Sequence, residues 1–241
     1  MNNIFKIFFA LLLLFSCVFA VSNRYIRLDG FRYYFHGGRS KTTQQQLLLF
    51  HDIFKNQITN TYETFNVKIP NRFEIHIADN ASVFSEVTGR APFVASLYWA
   101  EHDSFYFQNV SSLRRQNILS SAISHEICHQ ALTKERTGPT STEETIMSDE
   151  AFCLSYSPIL KPKKNTAEVF HKFRTFKQFQ ESLTRNMLSG NRSKVYTAYH
   201  LAYAWGDYLI KRFGLAMAFQ ITAEHNLDNF EIIFAEFLRS L

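Results

Sequence analysis

The stretch His125-Glu126-Ile127-Cys128-His129 is the part of this 241-residue chain that indicates a definite chemistry. Two histidines four positions apart lie on one face of a helix, with Cβ atoms roughly 5–6 Å apart, so both imidazoles can reach one zinc ion. Glu126 is turned about 100° around that helix, where it borders the metal without binding it and can accept a proton from water. The spacing therefore predicts a zinc site with Glu126 as general base.

A catalytic zinc needs a third protein ligand from a separate part of the chain. We expect this ligand to be Glu150, which follows His129 by 21 positions on the next predicted helix. Asp149 is the alternative, and because consecutive helical residues point about 100° apart, only one of the two should reach the metal. The apolar neighbours that place Glu150 beside a buried face are Ile146, Met147, Ala151 and Leu154.

The rest of the chain reads as strands first and helices afterwards, which predicts an α+β fold with a small mixed sheet and a mostly helical C-terminal half. We expect one domain over residues 21–241, with a β-rich lobe at about 21–111 and a helical lobe at about 112–241. One long helix from about Ser112 to the stop at Gly138-Pro139 carries the histidine motif. The predicted strands cover parts of 24–35, 72–78, 94–100 and 105–110.

The first twenty residues have the pattern of a secretory signal peptide. One charge at Lys6 precedes an apolar run over 7–15, and Val18-Phe19-Ala20 is typical of a cleavage site. The apolar run is too short for a membrane span, so we expect a secreted or periplasmic protein without a stable span after cleavage. A lipid anchor on Cys17 is the alternative.

The net charge and the cysteine content limit which classes of function the sequence indicates. After removal of residues 1–20 the chain keeps 25 Lys and Arg against 21 Asp and Glu, a net +4 without a long basic run, so nucleic-acid binding is not implied. Two cysteines remain, Cys128 and Cys153. We expect both to be free, buried thiols. The alternative is a disulfide, which export to an oxidising compartment would permit.

These features together resemble the gluzincin metallopeptidases over roughly residues 43–240. The resemblance rests on His125-Glu126-x-x-His129, the following helix with Glu150-Ala151, and Tyr199 ten positions before Leu209. It implies a gluzincin-like fold in which His125, His129 and Glu150 hold one zinc ion and Glu126 is the base. It also implies that Tyr199 stabilises the oxyanion, a role for which Tyr196 and Tyr203 are the alternatives.

The predicted activity is hydrolysis of peptide bonds in a peptide or protein substrate, which could pair as an added strand with residues 94–100 or 105–110. Two other functions stay open. One is a zinc-binding envelope or secreted protein that keeps the fold without turnover. The other is a metal-free relative of such an enzyme. The carboxylate of Glu126 argues against both, because neither metal binding nor packing requires it there.

Overall fold

The computed structural model of the protein describes residues 25–37, 42–137, 142–159 and 167–241. The signal peptide predicted at 1–20 and the alternative lipid site at Cys17 lie outside these residues. No described helix is both long enough and apolar enough to cross a membrane.

The strands are β1 Ile26–Leu28, β2 Phe31–His36, β3 Phe73–Ala78, β4 Ser96–Trp99 and β5 Ser104–Phe107. The helices are α1 Gln44–Phe65, α2 Ala81–Thr88, α3 Val110–Arg115, α4 Leu119–Glu135, α5 Thr142–Tyr156, α6 Ala167–Phe170, α7 Phe176–Met187, α8 Arg192–Phe213, α9 Leu215–Glu224 and α10 Leu227–Ser240.

The predicted α+β class is confirmed, with a small mixed sheet followed by helices. Within the described residues the strand order is β1-β2-β3-β5-β4, with parallel pairs in the centre and an antiparallel pair at each side. β4 is therefore an edge strand, whereas β5 lies between β3 and β4. The expectation that residues 105–110 could accept an added strand was wrong, because both edges of β5 are already paired.

Helix α1 covers the inner face of the sheet through aromatic side chains that recur at helical spacing. The ring of Phe50 lies 5.1 Å from that of Phe107, and the ring of Phe54 lies 5.1 Å from that of Phe105. All four are fully buried. The contact buries the apolar face of the sheet and the apolar face of α1 away from solvent. These rings form the centre of the N-terminal core.

The single helix predicted from about Ser112 is two helices, α3 and α4. Asn117 lies between them with φ +55°, a left-handed conformation that ends α3 and redirects the chain. Asn adopts this conformation more readily than most residues. Because the apolar spacing continues across the break, periodicity alone could not locate it.

Helices α5 and α8 approach each other closely at Gly206. A Cβ atom added at Gly206 would lie 1.9 Å from the carbonyl oxygen of Ala151, so only glycine permits this contact. The contact therefore places α8 against α5 at Ala151, the residue that follows Glu150. Next to it, Trp205 is fully buried and anchors a cluster of rings. Its partners are Phe176, Tyr208, Phe230, Phe234 and Phe237.

Cys128 and Cys153 form a disulfide, so the expectation of two free thiols was wrong. Their Cα atoms lie 5.6 Å apart, within the range that disulfides need. Both side chains are fully buried, and burial among apolar neighbours is common to a free thiol and a disulfide, so the local sequence could not separate them. The bond joins α4, which carries the histidines, to α5, which carries Glu150.

Replacing both cysteines by alanine should lower the free energy of unfolding by about 3–4 kcal/mol. A disulfide across a sequence separation of 25 restricts the unfolded chain by roughly this amount. Urea denaturation of the metal-free double variant and of the parent measures the difference. The parent chain from residue 21 should show no reactive thiol in denaturant until a reductant is added. Two reactive thiols before reduction would contradict the bond.

Candidate metal centre

His125, His129 and Glu150 converge on one point in the structure. The Nε2 atoms of the two histidines lie 3.1 Å apart. Glu150 places Oε2 3.3 Å from the first and Oε1 3.6 Å from the second. In a tetrahedral zinc site with ligand distances near 2.0–2.1 Å, neighbouring ligand atoms are roughly 3.3–3.4 Å apart. The three side chains therefore outline one face of such a tetrahedron.

Burial of the elements around this cluster fixes its position. Helix α4 is buried on nearly every side around the motif, so its histidines lie inside the protein. The exposed fraction of the side chain rises from 4% at His125 to 15% at His129 and 19% at Glu150. The cluster therefore reaches solvent on the side of His129 and Glu150.

The charges in the cluster shift the pKa values of all three side chains. Burial alone would lower the pKa of His125, but the adjacent Glu150 carboxylate outweighs burial and raises that pKa. Burial lowers the pKa of His129 to about 4, so this imidazole is neutral and its ring nitrogen is available as a ligand. Although burial opposes ionisation of Glu150, the two histidines lower its pKa.

The donor set fits a zinc ion. Two imidazoles and one carboxylate with an open fourth position are a combination that catalytic zinc sites use. Glu150 Oε2 is buried and makes no hydrogen bond of acceptable geometry with any described residue. Its 3.3 Å contact with His125 Nε2 compensates this burial in part, and a metal ion at the centre of the triangle would compensate it further.

Asp149, the alternative third ligand, has a different partner. Both of its carboxylate oxygens accept hydrogen bonds of 2.6 Å from the same terminal nitrogen of Arg136. Burial raises the pKa of Asp149 to about 6 despite this cation. The Arg136 charge also contributes to the lowered pKa of His129. In this structure Glu150 therefore belongs to the candidate metal site, and Asp149 neutralises the arginine beside it.

The Glu126 carboxylate is hydrogen-bonded to the sheet and lies within electrostatic reach of His125 and Glu150. Its Oε1 atom accepts a 2.7 Å hydrogen bond from the Ser96 hydroxyl, and its Oε2 atom accepts a 2.6 Å bond from the backbone N–H of Tyr98. Both donors belong to the edge strand β4. Burial raises the pKa of Glu126 above its ordinary value. A carboxylate offers about four lone-pair sites, so these two bonds leave two free.

Tyr199 lies within the electrostatic reach of both glutamates. Burial raises its pKa well above the ordinary value, and the charges of Glu150 and Glu126 raise it further. Tyr196, one helical turn earlier, instead lies between Phe93, whose ring centre is 6.4 Å away, and the guanidinium of Arg192. Of the two, the electrostatics therefore favour Tyr199 as the phenol that faces the cluster.

The sequence did not indicate that Ser96, Tyr98, Arg136 and Arg90 contribute to the site. Ser96 and Tyr98 were inside a predicted strand, but nothing in that strand indicates which of its groups meets α4. Arg136 follows the motif helix, and its pairing with Asp149 depends on how α5 returns. The charge of exposed Arg90 lowers the pKa of Glu150, across a separation of 60 positions. Each is a long-range contact that periodicity does not encode.

Metal binding should depend on the triangle and not on Asp149. We expect about one zinc per chain in the parent protein, and loss of most of it in His129→Ala and in Glu150→Gln, because each removes one of three ligands. Asp149→Asn is the matched control, since it changes the neighbouring carboxylate and should keep the zinc. Elemental analysis of folded, dialysed protein measures the stoichiometry. Full zinc content in His129→Ala would contradict the assignment.

No protein-family model matches the chain, and a search of curated proteins finds no match to it.

Proposed function

We propose that this protein is a zinc-dependent metallopeptidase of the gluzincin type. The observation that supports this most directly is the triangle of His125, His129 and Glu150 with the Glu126 carboxylate on the adjacent face of the same helix. The three residues of the triangle would hold the zinc ion, which would supply Lewis acidity and would lower the pKa of water at the site toward about 7. The remaining steps belong to residues of this chain.

Glu126 is the proposed general base. Its raised pKa moves it toward the working pH, where proton transfer is most effective. Two of its lone-pair sites are used by Ser96 and Tyr98, which fix the carboxylate, and the others are free to take a proton from the attacking water. The same group then returns the proton to the leaving amine.

The edge strand β4 is the proposed substrate-binding element. An extended peptide can add to the edge of a sheet through its main chain. Among the described residues, Ser96–Trp99 has a strand on one side only, and on its other side the Tyr98 N–H is bonded to Glu126, so a peptide there would use the remaining main-chain groups. Tyr199 is the proposed donor to the oxyanion. Its raised pKa keeps the phenol protonated, as a hydrogen-bond donor must be.

Export of the protein is part of the proposal. The signal-type segment at 1–20 predicts a secreted or periplasmic location. The disulfide between Cys128 and Cys153 supports it, because such bonds form and persist in oxidising compartments and are rare in reducing ones.

A zinc-binding protein without turnover is the second candidate, and one observation favours it. Both oxygens of Glu126 already accept hydrogen bonds from β4, so the carboxylate also has a purely structural use. A protein of this kind would hold zinc and tolerate loss of the base without loss of any activity.

Replacing Glu126 by glutamine should separate the two candidates. The amide keeps the size of the side chain but cannot take a proton, so hydrolysis of a peptide found by library digestion should fall by about 10²–10⁴. Zinc content should not change, because Glu126 is outside the triangle.

Ser96→Ala is the matched control for this change. It removes one hydrogen bond that fixes Glu126 but keeps the carboxylate as a base, so hydrolysis should fall by less than in Glu126→Gln. Full activity in Glu126→Gln would refute the mechanism. Zinc binding by a parent protein that cleaves no peptide would select the second candidate.

Tyr199→Phe tests the oxyanion role. Loss of one donor to the transition state should lower kcat by up to about 10²–10³ with zinc retained. Tyr196→Phe and Tyr203→Phe are matched controls on the same helix, and each should leave kcat near that of the parent. Steady-state kinetics with the same peptide measures all three. A larger loss in either control than in Tyr199→Phe would transfer the role to that residue.

A further inference from the structure

Asp103 is the centre of a hydrogen-bond network at the turn between β4 and β5. Its backbone is left-handed, with φ +47°, which aims the side chain back toward helix α4. Its Oδ1 atom accepts a 2.8 Å bond from the Tyr98 phenol and a 2.7 Å bond from the Gln130 amide. Its Oδ2 atom accepts a 2.7 Å bond from the Lys134 ammonium group.

Gln130 is held on its other side as well. The phenol of Tyr62, on helix α1, donates a 2.7 Å hydrogen bond to Gln130 Oε1. Both residues are fully buried. The amide nitrogen of Gln130 is therefore directed at Asp103, because its oxygen is already used by Tyr62. A buried amide with both ends satisfied has one stable orientation.

The network closes on Glu126 through Tyr98. The phenol of Tyr98 donates to Asp103, and the backbone N–H of Tyr98 donates to Glu126. Gln130 is one helical turn after Glu126 on α4, so the two helix residues lie on the same face. The contacts therefore form a closed path from Glu126 through Tyr98, Asp103 and Gln130 back to α4. Two helix residues one turn apart therefore hold Tyr98, Glu126 directly and Gln130 through Asp103.

We propose that Asp103 is a positioning residue that fixes β4, and with it the Glu126 carboxylate, against helix α4. The catalytic consequence rests on the proposed peptidase function, in which β4 binds substrate and Glu126 is the base. A shift of about 1 Å in such a constellation can cost about 10²-fold in rate. The structural consequence is independent of that function, because it concerns only the Tyr98 N–H bond to Glu126.

Two variants remove the contact from opposite sides. Tyr98→Phe removes only the phenol oxygen and keeps the ring, which packs 5.2 Å from Phe105. Asp103→Gly removes the acceptor, and glycine adopts the left-handed backbone without strain. In Tyr98→Phe, amide hydrogen exchange at Tyr98 should become about 5- to 30-fold faster, since one hydrogen bond no longer holds the strand. Asp103→Gly also removes the acceptor for Gln130 and Lys134, so exchange should become faster by at least this factor.

Asp103→Asn is the variant expected to restore the parent behaviour. The asparagine oxygen can replace Oδ1 and accept from Tyr98 and Gln130, and only the Lys134 contact is lost. That ion pair is solvent-exposed, with side-chain exposures of 38% and 42%, so its loss should change exchange by less than about 2-fold. Tyr106→Phe is the second control, because its ring stacks on His76 in a different cluster from Tyr98.

Exchange at Tyr98, zinc content and kcat are measured on the same four variants. We expect Tyr98→Phe and Asp103→Gly to exchange faster and to lose kcat with zinc retained, while Asp103→Asn and Tyr106→Phe match the parent. Unchanged exchange at Tyr98 in Tyr98→Phe, or faster exchange with unchanged kcat, would overturn the proposal. If the parent cleaves no peptide, the proposed peptidase function fails, and the exchange rates alone decide the role of Asp103.

Discussion

The rest of this structure depends on the burial of several ionisable groups side by side between α4, α5 and β4. Each buried charge costs several kcal/mol unless a partner compensates it. The three carboxylates here are compensated separately. Glu150 lies against two imidazoles, Asp149 against the Arg136 guanidinium, and Glu126 against two donors of the edge strand. Because each has its own partner, the two adjacent acids of α5 are chemically distinct, and only Glu150 is directed at the histidines.

The framework around these groups restricts how the helices can move. The disulfide between Cys128 and Cys153 joins α4 to α5 next to the candidate ligands, and Gly206 allows α8 to approach the backbone of α5 at Ala151. Packed interiors are not continuously deformable, so these two close contacts fix the distance between the helices. The ligand triangle is therefore set by the packing of the chain itself, and metal binding does not have to create it.

The local part of the site could be predicted from the sequence, and the long-range part could not. The spacing of His125 and His129 determines that they share a helix face, and the apolar neighbours of Glu150 indicate that it borders a buried region. The ligand set so predicted is the cluster that the structure brings together. The disulfide was wrongly predicted because burial is compatible with both cysteine states.

Two further errors have the same origin in long-range structure. The helix predicted from about Ser112 is interrupted by the left-handed Asn117, and the apolar spacing continues through the interruption. Strand order is decided by which edges pair, so the sequence could not tell that β4 is the open edge and that β5 is enclosed. The contact between Tyr98 and Glu126 follows from that order and was equally out of reach.

The periodicity of helix α4 fixes the angle between its metal-facing residues and its residues that face β4. His125 and His129 form one pair four residues apart and face the candidate metal position, while Glu126 and Gln130 form a second pair about 100° around the helix and face β4. The angle between the two faces is a property of the α-helix and does not depend on any loop. Once Asp103 and Tyr98 fix β4 to the second pair, the strand edge and the ligand triangle stand in one fixed relation. The proposed hydrolysis requires that a peptide bound at that edge meets the base and the metal position together, and a fixed relation between strand and helix is the condition for this.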